Sequence, residues 1–188
     1  MNILTDNLPK SVQINSKHYP IYTDFKRWLK IDALISDRNT EMKESIAKIL
    51  LLCYKELPEN IADAMKGVSF FYLCGRENTK NVRKKEKSKT FSFTDDAGLI
   101  YAAFFSQYGI DLTKERLHWF KFMALFEALS DEHKFSKVVS LRSLNPHDIK
   151  DAKRKKALYE LKRYYALTDM RTEEEKSDDI AKNMASLF

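Results

Sequence analysis

The sequence predicts a mainly α fold, a compact helical domain carrying a small N-terminal β-hairpin. Three observations point there. Apolar residues recur at intervals of three and four along most of the chain, the spacing that keeps side chains on one side of a 3.6-residue turn. Only four Gly and four Pro are spread over 188 residues, too few for a fold built on many tight turns. One stretch, residues 11–22, breaks the helical period and alternates apolar with polar.

That stretch reads as two short strands on either side of Asn15-Ser16, with Pro20 confining the second to an edge. Thr23 and Asp24 then offer N-cap oxygens to a helix reaching about Ser36, with Phe25, Trp28, Leu29, Ile31 and Ile35 as its apolar face. A second helix, about Thr40 to Tyr54, aligns Ile46, Ile49, Leu50 and Cys53. Pro58 opens a third, carrying Ile61, Ala64, Met65, Val68 and Tyr72 and closed by Gly75.

From Arg76 to Thr90 the chain holds seven Lys or Arg against two Glu and almost no apolar side chain. Such a segment buries too little surface to offset its conformational entropy, and it is expected to be a mobile basic loop over residues 76–90. Beyond it, Asp95 and Asp96 stand where acids favour a helix N-terminus. The runs Ala97–Tyr108, closed by Gly109, and Arg116–Leu129 are apolar nearly all round, which predicts a central, surrounded pair of helices.

A shorter helix is expected over about Glu132 to Leu141. Asn145-Pro146 then reads as an N-cap with Pro at the first position of a last helix, whose charged first half projects into solvent and whose apolar side comes late, through Leu158, Leu161 and Tyr165. Residues 150–163 repeat the seven-to-two basic excess. Residues 1–170 thus form a single domain, and residues 171–188 an acidic linker, with five acids against two bases over 171–179, followed by a short amphipathic segment.

Several function classes find no support in the residues. The longest apolar run near the middle of the chain, Ala97–Phe105, is about half of the roughly 20 residues that a membrane span needs. The N-terminus lacks the basic and then apolar regions of an export signal. Cys53 and Cys74 sit among apolar neighbours and are expected as buried free thiols in a reducing cytoplasm. His18, His118, His133 and His147 lie too far apart for a zinc-binding helix or loop, and no phosphate loop, nucleophile elbow or dinucleotide fingerprint occurs, so neither a metal nor a cofactor is expected. Asp32, Gln107, His118, Lys121 and Glu127 are polar residues caught in apolar stretches. Asp32, on its helix's apolar face, is read as a core ion pair or hydrogen-bonded group rather than a general acid, and no catalytic residue is assigned.

Two elements remain that suit binding. The basic loop, through Arg76, Lys80, Arg83, Lys84, Lys85, Lys87 and Lys89, could hold phosphates or dock on an acidic protein surface. It has no aromatic residue on which bases would stack, which disfavours nucleic acid as the partner. At the other end, Ile180, Met184, Leu187 and Phe188 recur at i, i+4, i+7 and i+8, a stripe that fits either a groove on a partner or the chain's own core.

Several stretches together resemble one phage family. They are residues 1–9, the Tyr19-Pro20-Ile21 and Thr23-Asp24-Phe25 runs, and Phe71-Tyr72-Leu73-Cys74-Gly75. Farther on come Ile100-Tyr101-Ala102-Ala103-Phe104, Gln107-Tyr108-Gly109-Ile110-Asp111-Leu112, Leu117-His118-Trp119-Phe120-Lys121-Phe122 and Ala124-Leu125-Phe126-Glu127. The family is the bacteriophage gene product fifteen family of siphophages and prophages, and the resemblance covers about residues 1–170. It implies a place in tail morphogenesis, similar in gene position to the second tail assembly chaperone, and it carries over no catalytic residues. The implied partners are tape measure protein, tail tube protein or another tail assembly chaperone, in the host bacterial cytoplasm, with a homo-oligomer left open and no membrane. A nucleic-acid-binding protein using the Lys/Arg-rich loop is the alternative.

Overall fold

The computed structural model describes residues 2–37, 39–76 and 90–168. Among the described residues, seven α-helices follow a two-stranded antiparallel hairpin. The hairpin pairs β1 (Ser11–Ile14) with β2 (Lys17–Pro20), placing Ser11 opposite Pro20 and Ile14 opposite Lys17. Its two-residue turn holds Asn15 at φ 47° and Ser16 at φ 67°, the positive pair that matches the twist of tightly joined strands. The helices are α1 (Phe25–Ser36), α2 (Met42–Cys53), α3 (Ile61–Tyr72), α4 (Ala97–Tyr108), α5 (Trp119–Glu127), α6 (Lys134–Ser143) and α7 (Ala152–Tyr164).

The boundaries that differ from the sequence reading have local causes. Asp24 caps α1 by accepting from the Lys26 amide at 2.9 Å. α2 starts at Met42, not Thr40, because the Thr40 hydroxyl is spent on the Asp37 carboxylate at 2.6 Å. α3 is capped by Asn60, two residues beyond Pro58, and closes with Gly75 at φ 73°. α5 begins at Trp119 rather than Arg116, since Leu117 and His118 stay outside the helix and run alongside the chain at the start of α1: the Phe25 amide donates to Leu117 O at 3.0 Å and the Trp119 amide to Thr23 O at 2.7 Å. The expected last helix is two elements, a 3-10 turn (Pro146–Asp148) capped by Asn145 and then α7, capped by Asp151.

The core is a pile of aromatic rings. Phe122 stacks on Phe104 at 5.2 Å, on Phe25 at 4.8 Å and on Trp119 at 5.7 Å, each within 19° of parallel. Trp119 in turn faces Trp28 at 6.2 Å, and Trp28 meets Phe71 at 4.7 Å. Ring pairs at such distances stabilise by about 0.5–1.5 kcal/mol each beyond burial alone. Both indoles are fully buried, so their N–H groups need acceptors: Trp28 donates to Tyr22 O at 2.8 Å, and Trp119 to Tyr72 O at 3.0 Å in the last turn of α3.

The central pair is only half as expected. α4 and α5 do meet, through Phe104 on Phe122 and through the Tyr108 hydroxyl donating to Leu125 O at 2.9 Å. Neither is surrounded, however. α5 leaves Lys121, Ala124 and Glu127 in solvent, and α4 leaves Gly98, Ala102 and Phe105 there, because no described helix forms a layer outside them. Ile35 and Leu161, also expected inside, are 50% and 46% exposed. Cys53 is fully buried and burial pushes its thiol up to about 12, whereas Cys74 is only partly buried and is pushed up to about 11. No described helix is long and apolar enough to cross a membrane.

Two features of this packing are testable. Gly67 lets α3 approach the hairpin: a Cβ there would stand 2.3 Å from the Tyr54 hydroxyl and 3.0 Å from Val12 Cγ2. The hydroxyl cannot swing aside without losing its 2.7 Å bond to Ala64 O. Gly67→Ala should therefore destabilise by about 1–3 kcal/mol despite its better helix propensity, and adding Tyr54→Phe should recover part of that in urea unfolding. His118 supplies the second feature. Its Nδ1 accepts from the Phe120 amide at 3.1 Å and its Nε2 faces Pro9 O at 2.9 Å, the pattern of a neutral ring donating from Nε2. Burial, then Lys121 and Lys10, hold its pKa below 6.5 against the Pro9 bond. A depressed folded value means that the unfolded chain binds the proton more tightly. Stability is then full above 6.5 and falls as pH drops through the folded value, while His118→Asn, which keeps a cap acceptor, flattens that dependence.

Candidate binding surface

Eleven residues stand as binding candidates from sequence, and the structure describes one of them. Arg76, the first residue of the Lys-rich segment, lies across α5 and makes a two-pronged ion pair with Glu127, at 2.8 and 2.7 Å. Both partners are well exposed, so the pair contributes at most about 1 kcal/mol. Its geometric effect is larger, because it ties the entry of the segment to the end of α5. Lys80, Arg83, Lys84, Lys85, Lys87, Lys89, Ile180, Met184, Leu187 and Phe188 lie outside the described residues.

The segment's exit is fixed by a residue that sequence reading passed over. Arg142 stands in the last turn of α6, one position past the expected helix end at Leu141. Its side chain is mostly shielded from solvent, and its guanidinium meets the buried Asp96 carboxylate with two parallel bonds, at 2.7 and 2.8 Å. Two further donors go to Thr90 O at 3.1 Å and Tyr165 O at 2.6 Å. Asp96 also accepts from the Ser92 amide at 3.0 Å, so this buried pair is closed by further hydrogen bonds, the condition under which such a pair holds. One side chain therefore gathers the exit of the Lys-rich segment, the start of α4 and the end of α7. The available signal was faint, an Arg in a helix last turn and two adjacent acids at the start of another.

α7 is the basic surface that the described residues do show. Leu158 is its only buried residue, and Lys162 fastens the helix by donating to Arg142 O and Leu144 O at 2.8 and 2.6 Å. Lys153, Arg154, Lys155, Lys156 and Arg163 make no ion pair among the described residues. An open groove along the helix is lined by Ala152, Lys155, Lys156, Tyr159, Glu160 and Arg163. Tyr159 is half exposed and Tyr164 is 80% exposed, which sets aromatic faces among the bases. Since Arg142 binds both Thr90 O and Tyr165 O, the end of this helix and the exit of the Lys-rich segment converge.

Of the other polar residues singled out in the sequence, Asp32 and Gln107 serve packing. The Asp32 carboxylate accepts from the Tyr72 phenol at 2.5 Å and pairs with no base among the described residues, and burial, followed by that bond, pushes the phenol well above its usual range. Gln107 donates to Ala128 O, accepts from the Ser130 amide and meets His133 Nε2 at 2.8 Å, which locks the α5–α6 turn onto α4. Lys121 is exposed. Removing one member of the buried pair isolates a charge, so Arg142→Ala should cost about 3–5 kcal/mol in chemical denaturation, and Arg142→Lys, which cannot reach Asp96, Thr90 and Tyr165 together, should recover little of it.

No curated protein and no solved structure shows significant similarity to the chain. A family's sequence model does, from the fourth residue through the seven described helices. That family is described as Bacteriophage Gp15 protein, its model matches residues 4–167, and the chain belongs to it.

Proposed function

We propose that the protein is a phage tail assembly chaperone that binds tape measure protein, tail tube protein or both during tail morphogenesis in the host bacterial cytoplasm. Membership in the Gp15 family supports a phage role. The observation that carries the finer reading is the outer face of α7, where five bases without ion-pair partners among the described residues and two exposed tyrosines adjoin the exit of the Lys-rich segment. A chaperone for a long amphipathic helical client needs apolar contact that can be released and charge that selects the client and keeps the complex soluble. Tyrosine serves the first need cheaply, since its ring is rigid and its hydroxyl stays wet. Lys153, Arg154, Lys155, Lys156 and Arg163 serve the second. The action is binding without catalysis.

The exposed tyrosines also favour a second reading, a nucleic-acid-binding surface on α7. They supply the stacking faces that the Lys-rich segment lacks in sequence.

One experiment separates the two. Tagged wild-type protein is recovered from phage-infected cells beside two variants, one with the seven bases of residues 76–89 changed to Ser and one with Lys153, Arg154, Lys155, Lys156 and Arg163 changed to Ser. Tape measure or tube protein should accompany the wild type and fade with the α7 variant. Recovery of nucleic acid alone, released steeply as salt rises, would transfer the assignment to the second reading, and recovery of neither would remove both.

A further inference from the structure

α4 carries an apolar surface that no described element covers. Gly98 and Ala102 are exposed, and a Cβ added at Gly98 would meet nothing within 4 Å. Phe105 is 54% exposed, although it stacks on Tyr101 at 6.1 Å with 16° between the rings. Beside Ala97 and Tyr101, a cleft of about 210 Å³ opens between α4 and α1, walled by Leu29, Ile100, Leu112 and Phe122. It is smaller than the pockets that hold drug-sized molecules and suits a large apolar side chain. Its polar edge is already occupied, because the Lys26 ammonium donates to Thr113 O at 2.7 Å.

The course of the chain brings a cover within reach. Thr168 is the last described residue, and its amide and hydroxyl both donate to the Asp95 carboxylate, at 2.9 and 3.0 Å. Asp95 directly precedes the N-cap of α4, so the chain is delivered to the start of the open face. Ile180 comes twelve positions later, a span that can extend to about 40 Å, whereas the 12 residues of α4 measure about 18 Å. The whole face can be reached. Charge agrees, because residues 171–179 carry five acids against two bases while the adjoining α7 exposes bases.

We propose that Ile180, Met184, Leu187 and Phe188 of the same chain seat on the open face of α4, over Gly98, Tyr101, Ala102 and Phe105, with one large side chain entering the cleft beside Leu29. Gly98 and Ala102 allow close approach along the helix, and Tyr101 and Phe105 supply the ring surface to be covered. In the sequence the four apolar residues recur at i, i+4, i+7 and i+8, a spacing that suits one apolar stripe against one helix face. This seating stands independently of the tail-assembly reading, because it concerns only how the chain covers itself.

The test uses the full-length chain with methyl-labelled methionine, the Met184 signal being assigned through Met184→Leu. The expected result is a set of cross-relaxation peaks between the Met184 methyl and the rings of Tyr101 and Phe105 that persist unchanged on dilution. Phe105→Ser, a change at an exposed position, should move the Met184 signal to its random-coil position. Removing residues 169–188 should speed amide exchange over residues 97–108 several-fold without changing it over α3. A Met184 methyl already at its random-coil position in the wild type overturns the proposal. So does one that ignores Phe105→Ser, and so do contacts that vanish on dilution, which would give the face to a second copy of the chain.

Discussion

Everything in the first half of the fold hangs on the extended run from Pro20 to Phe25. Its backbone is paired on both sides over a few residues: the Tyr22 amide donates to Cys53 O and the Lys55 amide to Pro20 O on one flank, while Thr23 and Phe25 exchange bonds with Trp119 and Leu117 on the other. Buried amides and carbonyls must be paired, and a connection this short can satisfy its groups only by recruiting chain ends from elsewhere. It recruits the end of α2 and the start of α5. Those pairings set where both helices begin or stop, and they lay Trp28, Trp119 and Phe71 against one another.

Arg142 is the counterpart in the second half. The hairpin and α1 to α5 share the core, whereas α6 reaches it through Phe135 and α7 contributes no residue to it. Polar bonds replace apolar area there. A guanidinium suits the role because its five donors diverge in a plane, so that one residue can hold a carboxylate and two carbonyls that belong to separate parts of the chain. The thin apolar contact of α7 and its high charge are two sides of one arrangement: a helix held by Leu158, Lys162 and Tyr165 is free to offer most of its circumference to solvent.

What the sequence made legible is what short periods encode. The hairpin, its turn at Asn15-Ser16, the α1 cap at Asp24 and the close of α4 at Gly109, φ 67°, all follow from residues within a few positions of one another. The start of α5 was not legible, because Leu117 and His118 continue the apolar pattern and only the distant Thr23 and Phe25 make them extended. The exposure of α4 was not legible either, since a helix apolar on every side reads as enclosed and nothing local reports a missing neighbour. For the binding surface, composition located the basic stretches, yet it ranked the Lys-rich segment above α7 and overlooked Tyr159 and Tyr164 as ring faces. Arg142, which joins the two stretches, depends on contacts 46 and 52 residues away and leaves no trace in spacing.

The placement of the two tryptophans has an optical consequence. Trp28 and Trp119 are the only indoles in the chain, both are sealed in the ring pile, and they lie 6.2 Å apart. Indole emission, excited where tyrosine does not absorb, therefore comes from a single coupled, dry pair that senses whether the core is intact. That emission is nearly blind to events on α7 or on the outer side of α4, so titrations of any ligand against tryptophan fluorescence would look flat even at saturation. A reporter for those surfaces has to be carried on them.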